Sequence, residues 1–107
     1  MKFDYVTPEM AGKISEMLKV LADPMRLRIM QILHQGERCV GDIVEEVGSS
    51  QANVSKHLSL LSRVFLVSSE KRGLQVYYKI GDTEVSMICE AICTHYGKLL
   101  KRRFAAL

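Results

Sequence analysis

A mainly helical fold with one β-hairpin is expected from three observations on the sequence. Two capping pairs, Thr7-Pro8 and Asp23-Pro24, punctuate the early chain as helix starts. The apolar residues recur at helical spacing until about residue 63, then alternate over "FLVSSEKRGLQVYYKI". Helical spacing returns after the alternating stretch and lasts almost to the end. The order is therefore α-α-α-α-β-β-α, with residues 1–107 read as a single domain.

The first helix is expected from about Pro8 to Ala22, with Met10, Ile14, Met17, Leu18 and Leu21 as its apolar stripe. The second runs from Pro24 to about Gln35, with Leu27, Ile29, Ile32 and Leu33 inward and Gly36 as its stop. A short third helix covers about Val40 to Val47 and ends at Gly48. Ser49 or Ser50 caps a fourth that reaches about Arg63. Two strands follow, about 65–70 and 75–80, joined around "KRGL" with Gly73 supplying the positive φ of a tight turn. Asp82 then caps a long last helix to about Phe104, with Val85, Ile88, Ile92, Tyr96 and Leu99 on one face.

Helices three and four, joined by a three-residue turn, have the spacing of a helix-turn-helix over about 40–63. On the fourth helix Val54, Leu58 and Leu61 share the buried side, while Lys56, Ser59, Ala52 and Arg63 lie opposite and Asn53 and Ser55 flank them. Small polar residues near its N-terminus suit a helix that enters a major groove. Gln51 and Asn53 can bond adenine, Ser50, Ser55 and Ser59 can reach phosphates or base edges, and Lys56 can neutralise phosphate. The hairpin over about 65–80 would act as a wing, with Lys71, Arg72 and Gln75 as further contacts to duplex DNA. A polar surface helix and a core-closing hairpin would follow the same pattern. The fold class is thus mainly α with a β-hairpin wing, a winged helix-turn-helix.

Charge agrees with a polyanionic partner. The net charge is only +3, but residues 49–79 carry Lys56, Arg63, Lys71, Arg72 and Lys79 against Glu70 alone. Residues 36–48 carry Glu37, Asp42, Glu45 and Glu46 against Arg38. A core with no tryptophan and six methionines in so small a chain is expected to be completed across a dimer interface. The helices about 8–22 and 82–104 are its expected dimerisation elements. No run approaches the ~18 apolar residues of a membrane span. The N-terminus has no secretory apolar region, so the expected place is the cytoplasm and no membrane partner is expected. No phosphate-binding Gly-rich loop, paired-carboxylate cluster or His-Glu metal motif argues for an enzyme. A winged-helix module used only for protein interaction is the other non-enzymatic class. His34 and His57 read as packing or backbone-bonding histidines, with His57 helping to fix the fourth helix.

The segments "LADPMRLRIMQIL", "CVGDIVEEVGSSQANVSKHLSLL", "LV" and "GLQVYYKI" resemble, in order and spacing, the ArsR/SmtB winged-helix repressors. The likeness covers about residues 20–81. It implies a homodimer joined through its first and last helices and an operator with imperfect two-fold symmetry. It also implies an inducer that lowers affinity for DNA. Phe65 stands where many members carry Gly before "LV", and a strand entry is expected to accept either.

The inducer must be sought residue by residue. Cys39 in "ERCVGD" resembles the family's two-cysteine metalloid motif, but Gly41 stands in place of the second cysteine. The family's zinc positions read Asp82, Glu84, His95 and Lys98, and a lysine ammonium is a poor ligand for zinc. An ion pair or helix cap explains those residues as well. Cys89 and Cys93 are i, i+4 and project from one helix face, a spacing that can chelate trivalent arsenic or a soft metal ion. Trivalent arsenic favours three thiolates, so Cys39 is the candidate third. Packing at the dimer interface would place the cysteines equally well. A thiol-based repressor is expected first, a redox or reactive-sulfur sensor on the same cysteines second, and a repressor without a small ligand third.

Overall fold

The computed structural model describes residues 6–81 and 83–105. Helix α1 spans Pro8–Leu21 and α2 spans Pro24–His34, and each starts at its expected cap. Thr7 Oγ1 accepts from the Met10 N–H at 3.0 Å, and Asp23 Oδ1 accepts from the Arg26 N–H at 3.1 Å. Helix α3 covers Val40–Val47 and α4 covers Gln51–Arg63; strands β2 and β3 cover Val67–Arg72 and Gln75–Ile80. Helix α5 runs over Thr83–Ala105. Asp82, expected as its cap, lies outside the described residues.

One strand was not expected. Arg38–Cys39 forms β1, which pairs antiparallel with β3 through Arg38↔Tyr78 and Cys39↔Tyr77. The sheet order is β1-β3-β2, so the wing hairpin is stitched to the segment just before α3. Two residues are too few to display alternation, which is why periodicity passes over them. In the hairpin, Val67 stands opposite Ile80 and Arg72 opposite Gln75. Gly73 takes φ 63° at the first position of the two-residue turn, where this connection needs a positive φ.

The first wing strand begins at Val67 rather than at 65, because Phe65 has φ 61°, in the left-handed region. That corrects the expectation of a strand entry at Phe65 that accepts Phe or Gly alike. Left-handed backbone crowds a Cβ against the following carbonyl, so glycine is the unstrained choice. The same corner constrains Gly81, where an added Cβ would meet the Phe65 carbonyl oxygen at 2.6 Å. The Gly81 N–H donates to Leu66 O at 2.9 Å and so closes the base of the wing.

The core is shared by α2, α3, α4 and β2. Ile29, Met30, Ile43, Val54, Leu58, Leu61 and Leu66 are fully buried within it. Leu27, expected inward, is half-exposed, and Met30 takes its place in the core. The buried face of α2 is centred on Ile29, Met30 and Leu33, which turns Leu27 toward a cleft beside α5. Helix α1 reaches the core through Leu21, with Met17 and Val20 packed beside it. Met10, Ile14 and Leu18 of α1 stay exposed, as do Ile88, Ile92, Tyr96 and Leu99 of α5. Among the described residues no helix is long and apolar enough to cross a membrane.

Candidate nucleic-acid interface and thiol cleft

Helix α4 is presented by a helix-turn-helix whose inner side is dry. Ile43 and Val47 of α3 meet the core alongside Val54, Leu58 and Leu61 of α4. Ser50 is the cap, its Oγ accepting from the Asn53 N–H at 3.1 Å. Asn53 is half-buried, and its Nδ2 donates to Ser49 Oγ at 2.9 Å. Those two expected DNA contacts are thus partly occupied in shaping the turn. Gln51, Ser55, Lys56 and Ser59 are exposed on the outer side.

His57 turns inward from α4, with Nδ1 3.3 Å from Arg26 Nη1 and 3.9 Å from Asp23 Oδ1. Arg26 in turn donates from Nε to Val20 O. The start of α2 and the middle of α4 are therefore joined by a polar contact, which suits the helix-fixing role expected of His57. The Asp23 carboxyl is held below the usual carboxylate range, chiefly by the Arg26 backbone N–H and then by the nearby Arg26 and His57 side chains, against a desolvation cost.

The wing is less freely basic than its sequence suggests. Lys71 is exposed, but Arg72 is engaged by two carboxylates. Its Nη1 and Nη2 donate to Glu37 Oε1 and Oε2 at 2.6 and 2.9 Å, and Nη2 also donates to Glu70 Oε2 at 2.9 Å. Its guanidinium carbon lies 4.7 Å from the centroid of the Tyr77 ring. Gln75 accepts from the Tyr77 hydroxyl at 3.0 Å. A hollow of about 260 Å³ separates the wing from the starts of α3 and α4, with Cys39, Gln51, Leu74 and Gln75 in its walls.

The three cysteines fall in two places. Cys39 is buried in β1, opposite Tyr77. Cys89 is half-buried and Cys93 exposed, and both line a cleft of about 210 Å³ between α2 and α5. Leu27 and Met30 give this cleft an apolar wall, and His34, Ser86 and Glu90 give it a polar one. His34 bonds Ser86 Oγ through Nδ1, and its Nε2 lies 3.4 Å from Glu90 Oε2. It is exposed and bridges two side chains of α5, where a packing or backbone-bonding histidine was expected. Burial pushes the Cys89 thiol up, and the neighbouring Cys93 adds to the effect. Cys39 lines the hollow beside the wing, so within one chain it is not a third wall of this cleft.

Of the zinc-type positions, Asp82 lies outside the described residues. His95 and Lys98 border a shallow surface hollow on α5 that does not include Glu84. Among the described residues no three His, Cys, Asp or Glu side chains gather closely enough to hold a metal ion. The residues that sequence reasoning missed are Glu37, His34, Ser86 and Glu90. Ser86, Cys89, Glu90 and Cys93 recur at spacings of three and four along α5, a signal that was available in the sequence. The pairing of Glu37 with Arg72 had no such signal, because it depends on β1.

Residues 23–69 match the family model for bacterial regulatory proteins of the arsR family. The chain is 33% identical over 97 residues to the arsenical resistance operon repressor of Bacillus subtilis, covering 89% of this chain and 92% of that one. Its fold superposes on HlyU from Vibrio cholerae with a TM-score of 0.78 at 31% identity, over 84% of this chain and 98% of the other. A homodimeric winged helix-turn-helix DNA-binding domain from Mycobacterium bovis superposes with a TM-score of 0.82 at 25% identity, over 94% and 95% of the two chains. These likenesses, with a helix-turn-helix and wing in the expected order, show that the chain is a DNA-binding transcriptional regulator rather than an enzyme and belongs to the ArsR family of winged-helix repressors.

Proposed function

We propose that this repressor binds operator DNA as a homodimer in the cytoplasm and lets go when a thiol-reactive inducer ties Cys89 to Cys93. The observation that carries the reading is their shared cleft between α5 and α2, the helix on which α3 and α4 pack. The exposed stripes of α1 and α5 support the dimer. Met10, Ile14 and Leu18, with Ile88, Ile92, Tyr96 and Leu99, are surfaces that a second copy would cover. Two copies would then present two α4 helices to two half-sites of a duplex. Gln51, Ser55, Lys56 and Ser59 would meet the major groove, with Lys71 on the backbone.

Trivalent arsenic fits the cleft as an inducer, and a soft metal ion content with two thiolates is the alternative. With arsenite, two As–S bonds form as two waters leave, and no electron changes hands. One hydroxyl remains on arsenic in place of a third thiolate, since within one chain Cys39 belongs to another hollow. The name of the Bacillus subtilis relative, an arsenical resistance operon repressor, points the same way. Drawing Cys89 and Cys93 together would displace α5 against the His34 bridges to Ser86 and Glu90. The spacing of the two α4 helices would follow. The inducer acts only as far as it binds the DNA-incompetent dimer more tightly.

The test is fluorescence anisotropy of reduced protein on the duplex upstream of its own gene, titrated separately with arsenite, zinc and a persulfide donor. Salt-sensitive binding released by arsenite is the expected result. Release by the persulfide donor alone would make this a reactive-sulfur sensor, and release by none would leave a repressor whose cysteines serve packing.

A further inference from the structure

We propose that Arg72 is not a phosphate contact but a strut, and that Glu37 anchors the wing through it at the angle DNA binding requires. The geometry is that of a completed ion pair. Both Glu37 oxygens meet the two terminal nitrogens of the guanidinium, a fork-to-fork contact with distances of 2.6 and 2.9 Å. Glu70 takes a further N–H, and the Tyr77 ring lies against the cation. One guanidinium meets two carboxylates here, and Lys79 adds its charge near Glu37, so the cluster already holds its own counter-ions. A phosphate would have to displace a bidentate partner and then face an unpaired carboxylate.

The position of Glu37 explains what the strut holds. Glu37 immediately precedes β1, whose two residues supply only the pairs Arg38↔Tyr78 and Cys39↔Tyr77 to β3. Arg72 is the last residue of β2, at the turn end of the wing. The ion pair therefore lengthens a two-residue seam and fixes the outer end of the hairpin to the segment that leads into α3. It holds the wall of Leu74 and Gln75 across the hollow from Gln51, and it leaves the exposed Lys71 as the wing cation for phosphate. The Arg72 hydrogen bonds hold the Glu37 carboxyl below its ordinary range, so the strut is intact at neutral pH. An exposed bidentate pair within a network is the kind of surface ion pair that contributes measurably.

The experiment uses the full chain with Glu37→Gln, Arg72→Gln, both together, and Lys71→Gln. Hydrogen exchange of the wing amides is read in free protein, and anisotropy against salt is read on the duplex upstream of its own gene. Both single strut variants are expected to speed wing exchange and to weaken binding about fivefold, the double no more than either. The slope of log affinity against log salt is expected to hold in Arg72→Gln and to fall by about two in Lys71→Gln, one for each wing of the dimer. A slope that falls by about two in Arg72→Gln, with tighter binding in Glu37→Gln, would make Arg72 a phosphate contact and overturn the proposal. Unmoved wing exchange in both single variants would overturn it equally. The exchange measurement needs no DNA, so absence of wild-type binding would count against the operator reading while the strut is still decided.

Discussion

Helices α4 and α5 are both amphipathic and both carry candidate functional side chains, yet they are completed in different ways. The apolar residues of α4, Val54, Leu58 and Leu61, are fully buried within the chain. On the much longer α5, Ile88 is 52% exposed, Ile92 62% and Tyr96 60%, and Ser86 is its single buried residue. The proposed DNA-reading helix is thus fixed by its own domain. The cysteine-bearing helix has an apolar face that only another surface can cover. The proposed sensing would benefit from that division, because a ligand could shift a face held by few contacts without dissolving the core on which α4 packs.

The two helices are expected to differ most in what their apolar residues contribute to stability. Leu58→Ala empties a fully buried site and is expected to cost about 3 kcal/mol, read as a lowered melting temperature. A cost below about 1 kcal/mol would mean that α4 is not the rigid partner. Ile92→Asp, on the open face of α5, is expected to keep the helical circular-dichroism spectrum and to weaken the dimer by about tenfold or more in sedimentation equilibrium. An unchanged dimer would move the interface elsewhere. The smallest effect belongs to the corner between α4 and the wing. Phe65 is 82% exposed at φ 61°, so Phe65→Gly removes left-handed strain with little packing to lose. It is expected to raise stability by about 1 kcal/mol. Destabilisation there would show that the phenyl ring has a partner in the dimer.

Much of this architecture was legible because its signals are local. Thr7-Pro8, Asp23-Pro24 and Ser50 mark helix starts through bonds made within three residues, and the structure forms those bonds. The i, i+4 pair of Cys89 and Cys93 was equally local. What escaped depends on distant parts of the chain. Strand β1 exists because β3 is there to pair with it, and Glu37 meets Arg72 across 35 positions only once that pairing has formed. The strain at Phe65 is set by how α4 hands over to β2, which the alternating pattern of a strand does not encode. Likewise, Leu27 and Met30 are both apolar and both border the cysteine cleft, and only the packing of α2 decides which of them is also buried in the core.

The most direct test of the account compares wild type with Cys89→Ser/Cys93→Ser for affinity on the duplex upstream of its own gene, without and with arsenite. The double variant is expected to bind as wild type does, within about twofold, and to stay bound at arsenite concentrations that release wild type. Release of the double variant at the same concentrations as wild type would contradict the account and take the sensing site away from α5.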